Sequence, residues 1–328
     1  SDKLYKIGVN RITKEGEDEM LRQVKVKNGE LKGLVGKDPR ITVFKGIPFA
    51  APPIGNLRWA PPQEPAKWDG VRQCFKYLAA PVQPGPEENP REDDVYAKEW
   101  SVDTSLQLNE DCLYLNIWTL AKKTDEKLPV YFWIFGGGWQ VGHASEMEFD
   151  GERIARRGIV VVTINYRVNL FGFTCHPEIT AEYPEAPANF GLLDQHKALT
   201  WVYKNISNFG GDPEQITIGG QSAGGGSVIN QLAYKKNKPM IKRAVVESGM
   251  FINPFMTMFP SRSLADAEKI EVREIERPKD PSMTSARPST PPPPKSDSLA
   301  ALTMASTVIL VISFLTISNG IAFFLRLY

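Results

Sequence analysis

The sequence predicts an α/β chain: a mostly parallel central sheet flanked by helices, followed by a separate apolar segment. Three observations carry this expectation. Short runs rich in Val, Ile and Phe alternate with stretches of helical periodicity. Glycine clusters stand where two of those runs end, at Gly136-Gly137-Gly138 and at Gly220-Gln221-Ser222-Ala223-Gly224. The composition, 42% apolar and 23% charged over 328 residues, is that of a packed globular chain and excludes wholesale disorder. With 39 Lys and Arg against 38 Asp and Glu, the overall balance asks for no nucleic-acid partner.

The elements follow in order. Residues 1–20 read as an N-terminal arm; Ser1-Asp2-Lys3-Leu4-Tyr5-Lys6 opens it without an apolar run, so it shows no signal peptide. Val24-Lys25-Val26-Lys27 alternates, Asn28-Gly29 turns, and residues 31–35 return, which is a hairpin pattern. Strand-like runs then occupy residues 113–118, 130–135, 159–164, 216–218 and 244–246. The middle three are almost continuously apolar, as strands buried on both faces should be. Residues 152–157 and 192–206 read as helices, and in the second Leu193, Ala198, Leu199, Trp201 and Val202 share one face.

The candidate chemistry lies at Ser222. The pattern Gly220-Gln221-Ser222-Ala223-Gly224 follows an apolar strand and precedes a helix-compatible run, the context of a nucleophile elbow. The glycines let neighbouring backbone approach a tight, strained turn, and the helix start favours negative charge developing beside the serine. Upstream, Gly136-Gly137-Gly138 at a strand end can present N–H groups to a carbonyl oxygen that becomes an oxyanion. No His/Cys cluster has ligand spacing and the glycine run lacks a dinucleotide pattern, so neither metal nor organic cofactor is expected.

Several stretches in one order resemble a known family. They are Phe44-Lys45-Gly46-Ile47-Pro48-Phe49-Ala50, Leu57-Arg58-Trp59, Glu110-Asp111-Cys112-Leu113-Tyr114-Leu115-Asn116, Gly136-Gly137-Gly138-Trp139 and Asn165-Tyr166-Arg167. Asn189-Phe190-Gly191-Leu192-Leu193-Asp194-Gln195, Phe209-Gly210-Gly211-Asp212-Pro213 and the serine motif continue the series. The chain is similar to the type-B carboxylesterases, which include cholinesterases and bacterial para-nitrobenzyl esterases, and resembles the bacterial branch more closely. The resemblance implies an α/β-hydrolase fold over residues 21–268. It implies Ser222 as nucleophile, with Gly137, Gly138 and Ala223 supplying oxyanion-hole N–H groups, and a small carboxylic ester as substrate. It makes Arg58 with Glu110, and Arg167 with Asp194, structural ion pairs. Gln221 stands where Glu is commoner, which weakens any case for a cationic substrate. A disulfide partner for Cys112 is missing near Ala80, so Cys74, Cys112 and Cys175 are expected as unpaired thiols, suiting a reducing compartment. The sequon Asn205-Ile206-Ser207 is one hint the other way.

The same resemblance shows what is missing. The order in this fold is Ser, then acid, then His, yet 106 residues follow Ser222 and none is His. The three histidines, His143, His176 and His196, all precede it. The likeness fades after residue 268, so the sheet should be truncated before its last strands, leaving an unpaired edge open to self-association. Residues 269–297 read as a Pro/Ser-rich linker ending in Pro291-Pro292-Pro293-Pro294. Residues 298–325 carry no charge and are expected as an apolar helix, a membrane anchor or lipid-anchor signal over 299–325, with a cytoplasmic location as the alternative. Function is thus expected to be serine-dependent ester hydrolysis, weak or lost without the acid and His. The alternatives are a membrane-tethered binding or adhesion protein and a truncated inactive product.

Overall fold

The computed structural model describes residues 20–84, 107–249, 263–276, 309–317 and 320–326, the last two as backbone. The N-terminal arm before residue 20 and residues 277–297 of the expected linker lie outside the described residues.

The chain opens on the expected hairpin: β1 (Gln23–Val26) pairs antiparallel with β2 (Gly29–Lys32). Next come β3 (Leu34–Val35), β4 (Thr42–Pro48) and β5 (Val71–Gln73), the last joining β2 in a small three-stranded sheet. The large sheet adds β6 (Tyr114–Thr119), β7 (Leu128–Ile134), β8 (Val160–Ile164), β9 (Gly211–Gln221) and β10 (Arg243–Glu247). It closes with β11 (Ile309–Ile317) and β12 (Gly320–Arg326). Its order is β12-β11-β10-β9-β7-β8-β6-β4-β3. The four strands β10, β9, β7 and β8 run parallel, and antiparallel strands flank them on both sides.

Helices connect the strands: α1 (Glu152–Ala155), α2 (Asn169–Phe173), α3 (Pro177–Glu182), α4 (Phe190–Asn205), α5 (Ala223–Ala233) and α6 (Leu264–Glu276). Strand β8, Val-Val-Val-Thr-Ile, is buried at every position, as parallel strands covered on both faces require. One core packs Phe132, Ile134, Val162, Ile216 and Ile218 with Leu199 and Val202 of α4. A second packs Val43, Trp118 and Val161 with Ala155 of α1 on another part of the sheet. On α4 the expected apolar face holds, except that Leu193 is only half-buried and Asp194 and Gln195 are fully buried. The reason is polar: both side chains are consumed by hydrogen bonds described below.

The tail departs from expectation. Residues 309–317 and 320–326 form an antiparallel hairpin, not a helix. Ile309, Val311, Ile312, Thr316 and Ile317 are β-branched and lose χ1 freedom in a helix. No helix among the described residues is long and apolar enough to cross a membrane. The hairpin also alters the expected open edge. Val246 and Glu247 of β10 pair with Leu310 and Ile309, so the chain itself occupies the position through which self-association was expected.

Candidate active site

Ser222 stands between the end of β9 and the start of α5, with φ 55° and ψ −122°. That is a sterically disfavoured region for a residue with a Cβ, and such strain costs on the order of 1–3 kcal/mol. Two hydrogen bonds hold the turn: Ser222 N–H donates to the Glu247 carbonyl at 2.9 Å, and Gly226 N–H donates to the Ser222 carbonyl at 2.9 Å. The flanking glycines are needed for close approach rather than for φ. A Cβ on Gly224 would overlap the Ile134 carbonyl oxygen, and one on Gly220 would come within 2.5 Å of the Gly224 carbonyl group.

The upstream glycines pack against this turn. A Cβ on Gly136 would lie 2.6 Å from the Gln221 carbonyl oxygen and 3.3 Å from Ser222 Cβ. Gly137 and Gly138 adopt φ of 100° and 64°, a left-handed run that glycine tolerates without strain. The structure therefore brings the two sequence-predicted clusters side by side. Ala223 opens α5, where the first N–H groups have no partner within the helix.

A buried polar chain, not anticipated from the sequence, ties the glycine loop to the helices. Trp139 Nε1–H donates to Ser227 Oγ at 2.9 Å, and Gln195 Nε2–H donates to the same oxygen at 3.0 Å. Gln231 Nε2–H donates to Gln195 Oε1 at 3.1 Å, and Asn237 Nδ2–H to Gln231 Oε1 at 2.7 Å. Asn237 Oδ1 lies 2.6 Å from His196 Nδ1. The one signal in the sequence is the i, i+4 spacing of Ser227 and Gln231 in a helix whose only other polar side chain is Asn230.

The three imidazoles are engaged elsewhere. His143 Nδ1 lies 2.9 Å from Ser145 Oγ, and its backbone N–H donates to Glu146 Oε1 at 2.9 Å. His176 caps α3 by accepting the Glu178 N–H at 3.3 Å. His196 packs edge-on against Tyr234, and burial lowers its pKa. Among the described residues no hydrogen bond joins any of the three to Ser222. Two acids are perturbed near the site loops. Burial raises the carboxyl of Glu247, and burial, reinforced by Glu148, pushes Glu146 up to about 7 against the His143 N–H.

The two ion pairs form. Arg58 meets Glu110 with two hydrogen bonds of 2.5 and 2.6 Å. Arg167 meets Asp194 at 2.8 and 2.7 Å, both side chains being buried. Burial alone would lower the Arg167 pKa; the charge and hydrogen bonds of Asp194 outweigh it and raise it. A small cavity lined by Arg58, Glu110, Cys112 and Arg167 lies on these pairs. All three cysteines are buried, Cys74 and Cys112 as free thiols whose pKa burial raises. Asn205 of the sequon is buried and donates to the Trp201 carbonyl at 2.8 Å, so it is not presented as a glycan acceptor.

A serine on a left-handed strand-to-helix turn, above a mixed sheet flanked by helices, defines the class as an α/β-hydrolase fold. The chain belongs to the carboxylesterase family, whose sequence profile matches residues 21–273. It is 37% identical over 238 residues to the fumonisin B1 esterase of Sphingopyxis macrogoltabida, covering 72% of this chain and 41% of that protein. It is 38% identical over 243 residues to a cholinesterase of Mus musculus, covering 73% and 39%. Among solved structures it is similar to a Geobacillus stearothermophilus carboxylesterase (TM-score 0.63, 37% identity, 77% of this chain and 47% of that one). A PNB esterase is similar too, with TM-score 0.65 and 33% identity over 78% and 48% of the two chains. The chain thus spans less than half the length of each of these relatives.

Proposed function

We propose that this chain carries the nucleophile and oxyanion hole of a carboxylic-ester hydrolase. The observation that carries the reading is Ser222 on its strained turn with Gly136 packed against it. Ser222 Oγ attacks the ester carbonyl carbon. The N–H groups of Gly137, Gly138 and Ala223 take the negative charge that develops on the carbonyl oxygen. Collapse expels the alcohol, which leaves with the proton that the Ser222 hydroxyl gave up, and gives the acyl-enzyme that water then cleaves to the acid and free Ser222.

What limits the chain is the proton. A serine hydroxyl is a weak nucleophile without a base, and His143, His176 and His196 are hydrogen-bonded to other groups. Hydrolases stripped of triad members retain a residual ~10³–10⁴-fold acceleration over water from oxyanion stabilisation and binding. Weak acylation is therefore expected, with slow turnover. The engagement of all three imidazoles also favours a second reading, a chain that binds an ester or partner without efficient turnover.

The test is labelling by a fluorophosphonate probe together with p-nitrophenyl butyrate hydrolysis, run on the folded chain and on Ser222→Ala. Slow labelling of the native chain, absent in Ser222→Ala, supports the nucleophile. Equal behaviour of the two proteins sinks it and leaves the binding reading. Rapid turnover lost in Ser222→Ala would mean that one of the three histidines reaches Ser222 after all.

A further inference from the structure

The three N–H groups proposed for the oxyanion hole come from two separate elements. Gly137 and Gly138 lie on the loop after β7, and Ala223 opens α5. Three donors converge on one oxygen only while those elements keep their spacing, and a misplacement of about 1 Å can cost a hundredfold in rate. The glycine contacts set how near the loop and the Ser222 turn can come, but van der Waals contact alone does not stop the loop from lifting away. A bond with a direction crosses between them. Trp139, the residue after Gly138, donates its Nε1–H to Ser227 Oγ at 2.9 Å. Ser227 lies four residues after Ala223, one helical turn further along the same face of α5.

Both ends of that bond are held. Ser227 is fully buried, and its Oγ also accepts Gln195 Nε2–H from α4 at 3.0 Å. Gln195, itself fully buried, accepts Gln231 Nε2–H at 3.1 Å, so two helices fix the direction of the acceptor. At the other end Trp139 has φ 59°, in the left-handed region that a bulky side chain rarely enters. It continues the left-handed run of Gly137 and Gly138, and unlike them it does so at a cost. Its ring centroid lies 6.0 Å from that of Phe173, and its carbonyl accepts the Asn169 N–H at 2.6 Å. Strain of this kind persists only where the surroundings hold it. A buried hydroxyl between two N–H donors is a poor means of stabilising a core, since apolar groups of the same shape serve as well. What it adds is a fixed distance and angle between loop and helix.

We propose, resting on the ester-hydrolase reading above, that Trp139 and Ser227 are positioning residues. Their hydrogen bond keeps the two halves of the oxyanion hole in register, and Gln195 orients the acceptor. Both act through the backbone N–H groups beside them, not by touching the substrate. Cutting the bond lets Trp139 relax out of its left-handed conformation, and Gly138 and Gly137 turn with it. The Ser222 turn is held separately, by the Glu247 carbonyl and the Gly226 N–H. The loss therefore falls on stabilisation of the developing negative charge, not on initial binding or on the nucleophile.

The experiment is fluorophosphonate labelling of Ser222 in the full chain, with the maximal rate and the half-saturating probe concentration measured separately. Trp139→Phe removes the donor and keeps a ring against Phe173; Ser227→Ala removes the acceptor; a third variant combines the two. Each single variant should lower the maximal rate ~10–100-fold and leave the half-saturating concentration unchanged. The double variant should label no more slowly than the slower single one, since both changes delete one interaction. Hydrogen exchange supplies a readout that needs no chemistry at Ser222. The Gln140 and Val141 amides donate to the Gly137 carbonyl at 3.0 and 3.1 Å. In both single variants their exchange should quicken about tenfold more than that of the β8 amides, the worth of one hydrogen bond lost locally. Unchanged labelling by the folded single variants, multiplied losses in the double variant, or equal quickening of the loop and of β8 overturns the proposal. A native chain that is not labelled at all sinks the nucleophile reading, and exchange then decides the tether alone. Selective quickening of the loop keeps Trp139 and Ser227 as the tie between loop and helix, and its absence removes it.

Discussion

Glu146 shows how one residue beside the glycine loop can set a pH dependence. Its carboxyl is mostly buried, is held up at about 7 chiefly by burial, and still accepts the His143 N–H at 2.9 Å. A carboxyl whose pKa is raised in the folded state favours folding while it is protonated. That contribution is complete below the ordinary value of 4.5 and is lost as pH rises towards about 7. Glu146→Gln keeps the acceptor and removes the titration. Between pH 4.5 and 7.5 the native chain should lose on the order of 2 kcal/mol relative to the variant, allowing for partial exposure. Denaturant unfolding of both proteins across that range measures it, and parallel pH profiles would show that Glu146 does not titrate with folding. The same scale separates what sequence could and could not see. Ser222 and its glycines are legible because a strained turn leaves a residue-type signature. Glu146 is not, because its perturbation comes from neighbours brought in by the fold.

At the scale of elements, the strand–turn–helix unit of β9 and α5 depends on backbone contact. Gly224, one residue into the first turn of α5, lies so near the Ile134 carbonyl of β7 that a methyl group would overlap it. Gly224→Ala should therefore push α5 away from the sheet and cost about 3 kcal/mol or more, since backbone cannot move aside as a flexible side chain can. Chemical denaturation reads the loss, and an unchanged midpoint would mean that the helix shifts freely. The strands and helices themselves were largely legible: β7, β8, β9 and β10 follow their apolar runs, and α4 follows its 3.6-residue period. On α4 the period alone does not account for the burial of Asp194 and Gln195, although the family resemblance implied the pair between Arg167 and Asp194. They are buried because Arg167 and Ser227 arrive from other elements to satisfy them.

At the scale of the molecule, the unusual feature is how the sheet ends. Parallel strand β10 is bordered by the chain's own antiparallel hairpin rather than left open. An uncovered edge presents a row of unpaired N–H and C=O groups to other chains. A chain ending at Ser298 should consequently self-associate in a concentration-dependent way, where the full chain does not. Light scattering over a concentration series distinguishes them, and a truncated chain that stays monomeric would show that the hairpin is dispensable for edge protection.

The sequence by itself determined the parallel sheet, the turn that carries Ser222, the glycine loop before it and the family to which the chain belongs. These features rest on local rules, namely apolar periodicity, glycine where backbones must touch, and residue types required at a strained turn. Tertiary structure alone decided that residues 309–310 of the uncharged tail pair with β10, because a β-branched run that favours a strand does not say which edge it will join. It also decided where the three imidazoles are held and that Trp139 meets Ser227. Those outcomes depend on which distant residues meet, which composition and spacing do not encode.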